Sequence, residues 1–167
     1  MRLYLSSYRL GNRPEKLVEL TELAEIAGAD ALSRRALVIA NACDLLAETD
    51  RAPRVAREIA ALANLGFHAE ELDLRRYFHG GPDGGDGGDR NTLRAKIASA
   101  CLVWARGGNA FVLLRAMRQS GFAEVLRDAL AADTLVYGGY SGGIAVLAPT
   151  LRGIEPVNDP VAVPEGY

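Results

Sequence analysis

A serine stands at the centre of a glycine-rich segment, Gly139-Tyr140-Ser141-Gly142-Gly143. This G-x-S-x-G pattern lies between a strand-like run and a helix-like segment, the context in which a tight turn exposes a nucleophilic hydroxyl. The glycines leave room for the turn, and the amide of Gly142 at the helix start can face a developing oxyanion. The alternative is a plain tight turn without chemistry. We take Ser141 as the candidate nucleophile.

A second glycine-rich turn, Arg106-Gly107-Gly108-Asn109, follows the preceding strand-like run. Its glycines let a backbone amide approach a ligand closely, and Asn109 can cap the helix that follows. Such a turn could belong to any Rossmann-like domain. Turns after two consecutive parallel strands nevertheless converge at the carboxyl edge of the sheet, where open α/β sheets bind ligands. The spacing therefore favours one shared crevice for both turns.

A serine hydroxyl needs a general base, usually a histidine that an acid orients. The sequence has two histidines, His68 and His79, and both precede Ser141. His68 falls at the amino end of a predicted strand, which is the wrong end, and His79 falls at the correct end but in a glycine-rich loop. The acids that follow the serine are Glu155, Asp159 and Glu165, and each could be an ordinary loop carboxylate.

The elements that must position these residues alternate between apolar runs and helical repeats. Strands are predicted at 3–8, 36–40, 67–74, 101–105 and 134–137. Helices are predicted from a cap at Asn12 to Gly28, at 51–65, 92–100 and 142–147, and at 110–132 with an interruption at Gly121. This alternation predicts an α/β three-layer sandwich around a mostly parallel five-stranded sheet. We expect the strands around Val103 and Val136 to be neighbours.

Composition narrows the class of protein. The 167 residues suit a single domain, with 49% apolar and 24% charged residues and a net charge of −2, so we expect no nucleic-acid partner. No apolar stretch is long enough for a signal peptide or a membrane span, which favours the cytoplasm. Cys43 and Cys101 lack metal-ligand spacing and are predicted to be buried, reduced thiols. We expect neither a metal nor a cofactor.

The segment from His79 to Asp89 is dominated by glycine and aspartate. The pattern is similar to calcium-binding β-helix repeats, but those repeats work by stacking several copies and only one copy is present here. The favoured interpretation is a flexible surface loop.

Taken together, the motifs resemble peptidase E, the aspartyl dipeptidases related to cyanophycinase and more distantly to class I glutamine amidotransferases. The resemblance covers essentially the whole chain and rests on Leu65-Gly66-Phe67, Glu70-Glu71-Leu72-Asp73-Leu74, Gly107-Gly108-Asn109, Tyr140-Ser141-Gly142-Gly143 and Pro149-Thr150-Leu151-Arg152-Gly153. It implies a glutamine amidotransferase-like fold, Ser141 as nucleophile, and Gly108 with Gly142 as oxyanion-hole amides. It also suggests Asn109 as a substrate-binding residue. The family more often has alanine after the serine, so Gly142 is a departure.

The resemblance places the triad acid shortly after the serine, which makes Glu155 the first choice and Asp159 the second. The family's histidine lies beyond that acid and a further strand, and no histidine follows Ser141 here. We therefore expect one peptidase E-like domain over residues 1–167 that lacks a C-terminal part with the base. Such a chain should have little activity alone and should expose an apolar sheet edge near the fifth strand.

The function that follows is a serine-type peptidase acting through an acyl-enzyme on Ser141. Its expected partner is a short peptide with an N-terminal aspartate or a β-aspartyl dipeptide, not a membrane, and a homodimer is left open. The alternative is a non-catalytic remnant or binding domain that keeps the turn but lacks the base. An amidotransferase is disfavoured because that chemistry uses a cysteine at this position, and an α/β-hydrolase because that fold is larger.

Overall fold

A five-stranded parallel sheet forms the centre of the computed structural model, which describes residues 1–22, 34–78 and 89–167. The strands are β1 (Arg2–Ser6), β2 (Arg35–Ile39), β3 (His68–Glu71), β4 (Leu102–Ala105) and β5 (Val136–Tyr140). Their order across the sheet is β1-β5-β4-β2-β3, and every pair is parallel. The predicted α/β sheet is confirmed, and the strands around Val103 and Val136 are neighbours.

The described residues form six α-helices, of which five lie between strands and the last follows β5: α1 (Glu15–Glu22), α2 (Glu48–Ala63), α3 (Arg90–Ala98), α4 (Ala110–Gln119), α5 (Phe122–Ala131) and α6 (Gly142–Ala145). Short 3₁₀ helices span Asn41–Cys43 and Leu74–Tyr77. The predicted break at Gly121 is confirmed, since this residue has a φ of 71° between α4 and α5. Among the described residues, no helix is both long and apolar enough to cross a membrane.

Two of the predicted element ends can be compared with the structure in turn, and a third cannot. The cap at Asn12 is wrong, because α1 begins at Glu15 after turns closed by the carbonyls of Arg13 and Pro14. The fifth strand was predicted at 134–137 and is found at Val136–Tyr140, so it directly precedes Ser141. The predicted helix end at Gly28 and all but the last residue of the glycine-rich segment lie outside the described residues.

Helices cover both faces of the sheet because the buried strand residues alternate between two apolar clusters. Leu37, Val103 and Tyr137 point to the face covered by α3, α4 and α5. Val38 and Trp104 point to the opposite face, where residues of α1 and α2 pack. Residues Ala36 to Ile39 of β2 are completely buried, as expected for a parallel strand covered on both faces.

The expected exposed edge near the fifth strand is wrong. Strand β1 pairs along the full length of β5, from Arg2 opposite Val136 to Ser6 opposite Tyr140. Strand β4 occupies the other side of β5. The candidate nucleophile therefore follows an interior strand, and β1 and β3 form the edges of the sheet.

A buried ionic network fastens α2 to the ends of β2 and β3. Arg51 is 2% exposed, and it donates to Asp44 at 2.7 Å and to Glu71 at 2.5 Å. Asp44 also accepts from the side-chain amide of Asn41 at 2.7 Å and from the hydroxyl of Tyr167 at 2.5 Å. The network thus joins the C-terminal segment to the carboxyl edge of the sheet.

We expect Arg51→Met to lower the free energy of unfolding by about 3–5 kcal/mol, because it removes the cation 2.7 Å from the buried carboxylate of Asp44 and leaves only Arg75, at 3.7 Å. The control is Arg94→Met, since Arg94 and Asp128 form an ion pair in which both side chains are 55% exposed. This control should cost about 1 kcal/mol or less. Urea unfolding of the two variants checks the difference, and equal losses would contradict a structural role for the network.

Candidate active site

Ser141 lies between β5 and α6 in a backbone conformation that side chains rarely adopt. Its φ is 52° and its ψ is −124°. A non-glycine residue in such a region carries strain, and it persists only where the surrounding structure fixes it. The residue is exposed, so its hydroxyl is not buried in the core. The strain predicted for a functional serine turn is therefore present.

The glycines two positions before and after the serine allow the turn to lie against β4. A Cβ atom on Gly139 or Gly143 would collide with the carbonyl oxygen of Ala105. The hydroxyl of Tyr137 donates to the carbonyl of Gly143 at 2.6 Å and holds the start of α6 against β5. Sequence spacing alone predicted the need for these glycines, and Ala105 supplies the physical reason.

The second glycine-rich turn packs directly on the first. A Cβ atom on Gly107 would lie 2.8 Å from the Cβ of Ser141, and one on Gly142 would collide with the carbonyl oxygen of Gly108. On its other side, Gly108 lies against the backbone of Ala42, whose carbonyl accepts from the amide of Asn109 at 2.8 Å. The predicted proximity of the two turns is confirmed.

The amides of Gly108 and Gly142 have no protein acceptor among the described residues, 1–22, 34–78 and 89–167. Gly142 is the first residue of α6, where amides have no partner inside the helix. An exposed hydroxyl beside two such donors is an arrangement that can support acyl transfer.

Asn109 caps α4, as the sequence predicted. Its side-chain oxygen accepts from the amides of Phe111 at 2.9 Å and Val112 at 3.2 Å. Its side-chain nitrogen donates to the carbonyl of Asp159 at 2.9 Å. The side chain thus joins the helix start to the C-terminal segment, and its role in substrate binding stays a prediction.

The two candidate triad acids lie in turns of the C-terminal segment. The carboxylate of Glu155 accepts from the amide of Gly153 at 2.6 Å, and that of Asp159 accepts from the amide of Val161 at 3.0 Å. Both side chains are exposed. Among the described residues, neither carboxylate is hydrogen-bonded to Ser141 or to a histidine. Their assignment as triad acids stays a prediction.

His68 is far from the serine turn. It is the first residue of β3, an edge strand separated from β5 by β2 and β4. Because the strands are parallel, His68 lies at the amino edge of the sheet, whereas Ser141 follows the carboxyl end of β5. His79 is outside the described residues. Among the described residues, no histidine therefore lies beside Ser141.

A cavity of about 740 Å³ opens at the carboxyl end of β1, and no residue of either glycine-rich turn lines it. Tyr8 on its wall meets the ring of Tyr140 edge-on, with the ring centroids 6.2 Å apart. Cations outnumber carboxylates among the lining residues, with Arg9, Arg13, Lys16 and Arg57 against Glu58. Sequence reasoning missed this cavity, because basic residues spread over two helices and a loop resemble ordinary surface charges.

Two further buried side chains, Glu58 and Cys43, lie near the turns, and no sequence motif indicated their position. Glu58 on α2 is 5% exposed and accepts from the hydroxyl of Tyr140 at 2.8 Å. Burial, and then this hydrogen bond, raise the pKa of Tyr140 above its ordinary value. The thiol of Cys43 lies 3.7 Å from the carbonyl oxygen of Gly107, and burial raises its pKa. Burial therefore disfavours the thiolate of Cys43, which is the nucleophilic form of a cysteine.

The described residues differ from the side-chain arrangements that bind metal ions. Among the described residues, no group of three or more histidine, cysteine, aspartate or glutamate side chains is arranged to hold a metal ion. Cys43 and Cys101 are both buried and free, as predicted.

Comparison with known proteins agrees with the fold and names a family. Residues 33–167 match the sequence model of peptidase family S51. A solved structure of a candidate peptidase E protein from Listeria monocytogenes EGD-e is similar to this chain, with a TM-score of 0.66 and 22% identity. The alignment covers 94% of this chain and 66% of the Listeria chain. The search of curated proteins gave no significant match.

We expect Ser141→Gly to be more stable than Ser141→Ala by about 1 kcal/mol, because glycine relieves the strain at a φ of 52° while alanine keeps it. The control is Ala132→Gly at an exposed position with a φ of −75°, which should be destabilising. Urea unfolding measures all three variants. If glycine were the less stable residue at position 141, the turn would not be strained in solution.

Proposed function

The chain belongs to peptidase family S51, and on that premise we propose that it is a serine peptidase of the peptidase E type with Ser141 as nucleophile. The observation that carries the proposal is the strained, exposed serine, which packs against Gly107 while the next residue, Gly142, packs against Gly108. Strain of this kind is retained at functional sites more often than elsewhere. The two amides without a protein acceptor supply the donors that an acyl-transfer reaction needs.

The reaction follows from this arrangement. The hydroxyl oxygen of Ser141 attacks the scissile carbonyl carbon, and its proton passes to a base supplied from outside the described residues. The oxyanion accepts hydrogen bonds from the amides of Gly108 and Gly142. The carbon–nitrogen bond then breaks, the amine leaves with the proton, and an ester remains on the serine. Water hydrolyses this ester to regenerate the hydroxyl and release the acid.

We propose that the substrates are short peptides with an acidic first residue. We also propose that the protein acts in the cytoplasm. The support is the cavity at the carboxyl end of β1, where Tyr8 contacts Tyr140 just before the serine. Its lining carries more cations than carboxylates. Its one carboxylate, Glu58, is paired with Arg106, which lies outside the lining. Two of the lining cations are ion-paired with glutamates, whereas Arg9 and Arg57 have no carboxylate partner among the described residues. These two cations favour an anionic side chain over a neutral one of the same shape.

Labelling with a fluorophosphonate probe tests the nucleophile without relying on peptide turnover. The folded chain should label at Ser141 about 10³-fold faster than the denatured chain, because oxyanion donors and binding still act when the base is missing. Ser141→Ala should abolish the labelling, and Ser99→Ala, at another exposed serine, should leave it unchanged. Peptide mapping by mass spectrometry identifies the site. Absent labelling in the folded chain would favour the alternative of a non-catalytic binding domain.

Protection of Ser141 from the probe tests the substrate class. Aspartyl-leucine should protect better than the isosteric asparaginyl-leucine. Arg57→Gln in the cavity lining should weaken protection by aspartyl-leucine about fivefold, the magnitude of one exposed ion pair, and leave asparaginyl-leucine unaffected. Arg94→Gln, outside the lining, is the control. Equal protection by the two dipeptides would reject an acidic specificity.

A further inference from the structure

A single buried carboxylate contacts both turns of the candidate site. Glu58 projects from α2, is 5% exposed, and lies 82 residues before Tyr140 in the chain. One of its oxygens accepts from the hydroxyl of Tyr140 at 2.8 Å, and the other accepts from the indole nitrogen of Trp104 at 3.1 Å. The Nε atom of Arg106 lies 3.5 Å from the first oxygen, an ion-pair separation.

The residues that meet at Glu58 stand immediately before the two amide-donating turns. Tyr140 is the last residue of β5 and directly precedes Ser141. Arg106 follows the last residue of β4 and directly precedes Gly107. Each glycine-rich turn thus begins at a side chain that Glu58 holds.

Arg106 also bonds to the backbone of the turn that it precedes. Its Nη1 atom donates to the carbonyl of Gly107 at 2.6 Å and also contacts the sulfur of Cys43. Its Nε atom is buried and, within the described residues, has no hydrogen-bond partner, so the Glu58 carboxylate is the group that balances its charge. A buried cation of this kind is stable only beside an opposite charge.

We propose that Glu58 is a positioning residue that fixes the turns of Gly108 and Gly142 relative to each other, so that both amides can reach one oxyanion. The placement of the two turns is a matter of structure, and only its effect on labelling rests on the proposed function. Glu58 does not touch the reacting atoms in this scheme. Its carboxylate acts through Tyr140 on one turn and through Arg106 on the other.

Glu58→Gln is the main test, because glutamine keeps the shape and can still accept from Tyr140 but loses the charge that balances Arg106. We expect the rate of fluorophosphonate labelling at Ser141 to fall about 10- to 100-fold, as for a small misplacement of reacting groups. Backbone amide signals of Gly108 and Gly142 in two-dimensional NMR spectra should shift. Glu58→Ala should lose more than Glu58→Gln, so the conservative variant gives partial rescue.

Tyr140→Phe is the second variant, and it tests the inference without depending on the folding of Glu58→Gln. It removes one hydroxyl and should shift the Gly142 amide more than the Gly108 amide, because Arg106 keeps its carboxylate. Glu71→Gln is the control, since Glu71 pairs with Arg51 and contacts neither turn. It should lower stability while labelling of the folded chain stays within about twofold.

The outcomes separate this inference from the proposed function. Amide shifts at both glycines in Glu58→Gln, but not in Glu71→Gln, support the positioning role even if the wild-type chain never labels. Unchanged amide signals in a folded Glu58→Gln variant would overturn the inference, whatever the labelling rate. Where the wild-type chain does label, amide shifts with an unchanged labelling rate would also overturn it, because the turns would then have moved without consequence for the serine.

Discussion

The packing of Gly108 against Gly142 is the contact on which the rest of the candidate site depends. There is no space for a side chain between these turns, since a Cβ atom on Gly142 would meet the carbonyl of Gly108. The family resemblance leads one to expect alanine at this position, and the glycine found here lets the two backbones approach more closely. Ala42 supports the far side of Gly108, so the turn after β4 is held between β2 and β5.

Pairing of β4 with β5 is what brings these turns together. In a parallel pair the carboxyl ends of both strands meet at the same edge, and Ala105 lies opposite Gly139 in this register. Gly138 in the middle of β5 leaves room for the indole of Trp104, which is completely buried. A strand with two adjacent glycines is a weak strand former by itself, so packing against this indole compensates for the side chains that β5 lacks.

The sequence was a good guide to local features and a poor one to contacts between distant residues. Strands, the break at Gly121 and the glycine-rich turns carry signals within a few residues, in the form of apolar runs and residues with special backbone freedom. Glu58 and Tyr167 give no such signal. Their partners lie 82 and 123 residues away, and a glutamate or tyrosine in a helix or a tail looks the same whether it is buried or exposed. The position of β5 inside the sheet was missed for a similar reason, because its pairing with β1 joins segments as distant in the chain as Arg2 and Val136.

Strain at Ser141 has to be balanced by contacts on both sides of it, and two buried tyrosines of β5 provide them. Tyr140, just before the serine, bonds to the carboxylate of Glu58, and Tyr137 bonds to the carbonyl of Gly143, just after it. Both hydroxyls donate to acceptors in an apolar setting, where a hydrogen bond is strong and its loss is costly. A conformation that costs about 1–3 kcal/mol can be maintained by two such bonds together with the turn packed beneath them. The strand that carries the serine therefore also carries the groups that hold it in its strained form.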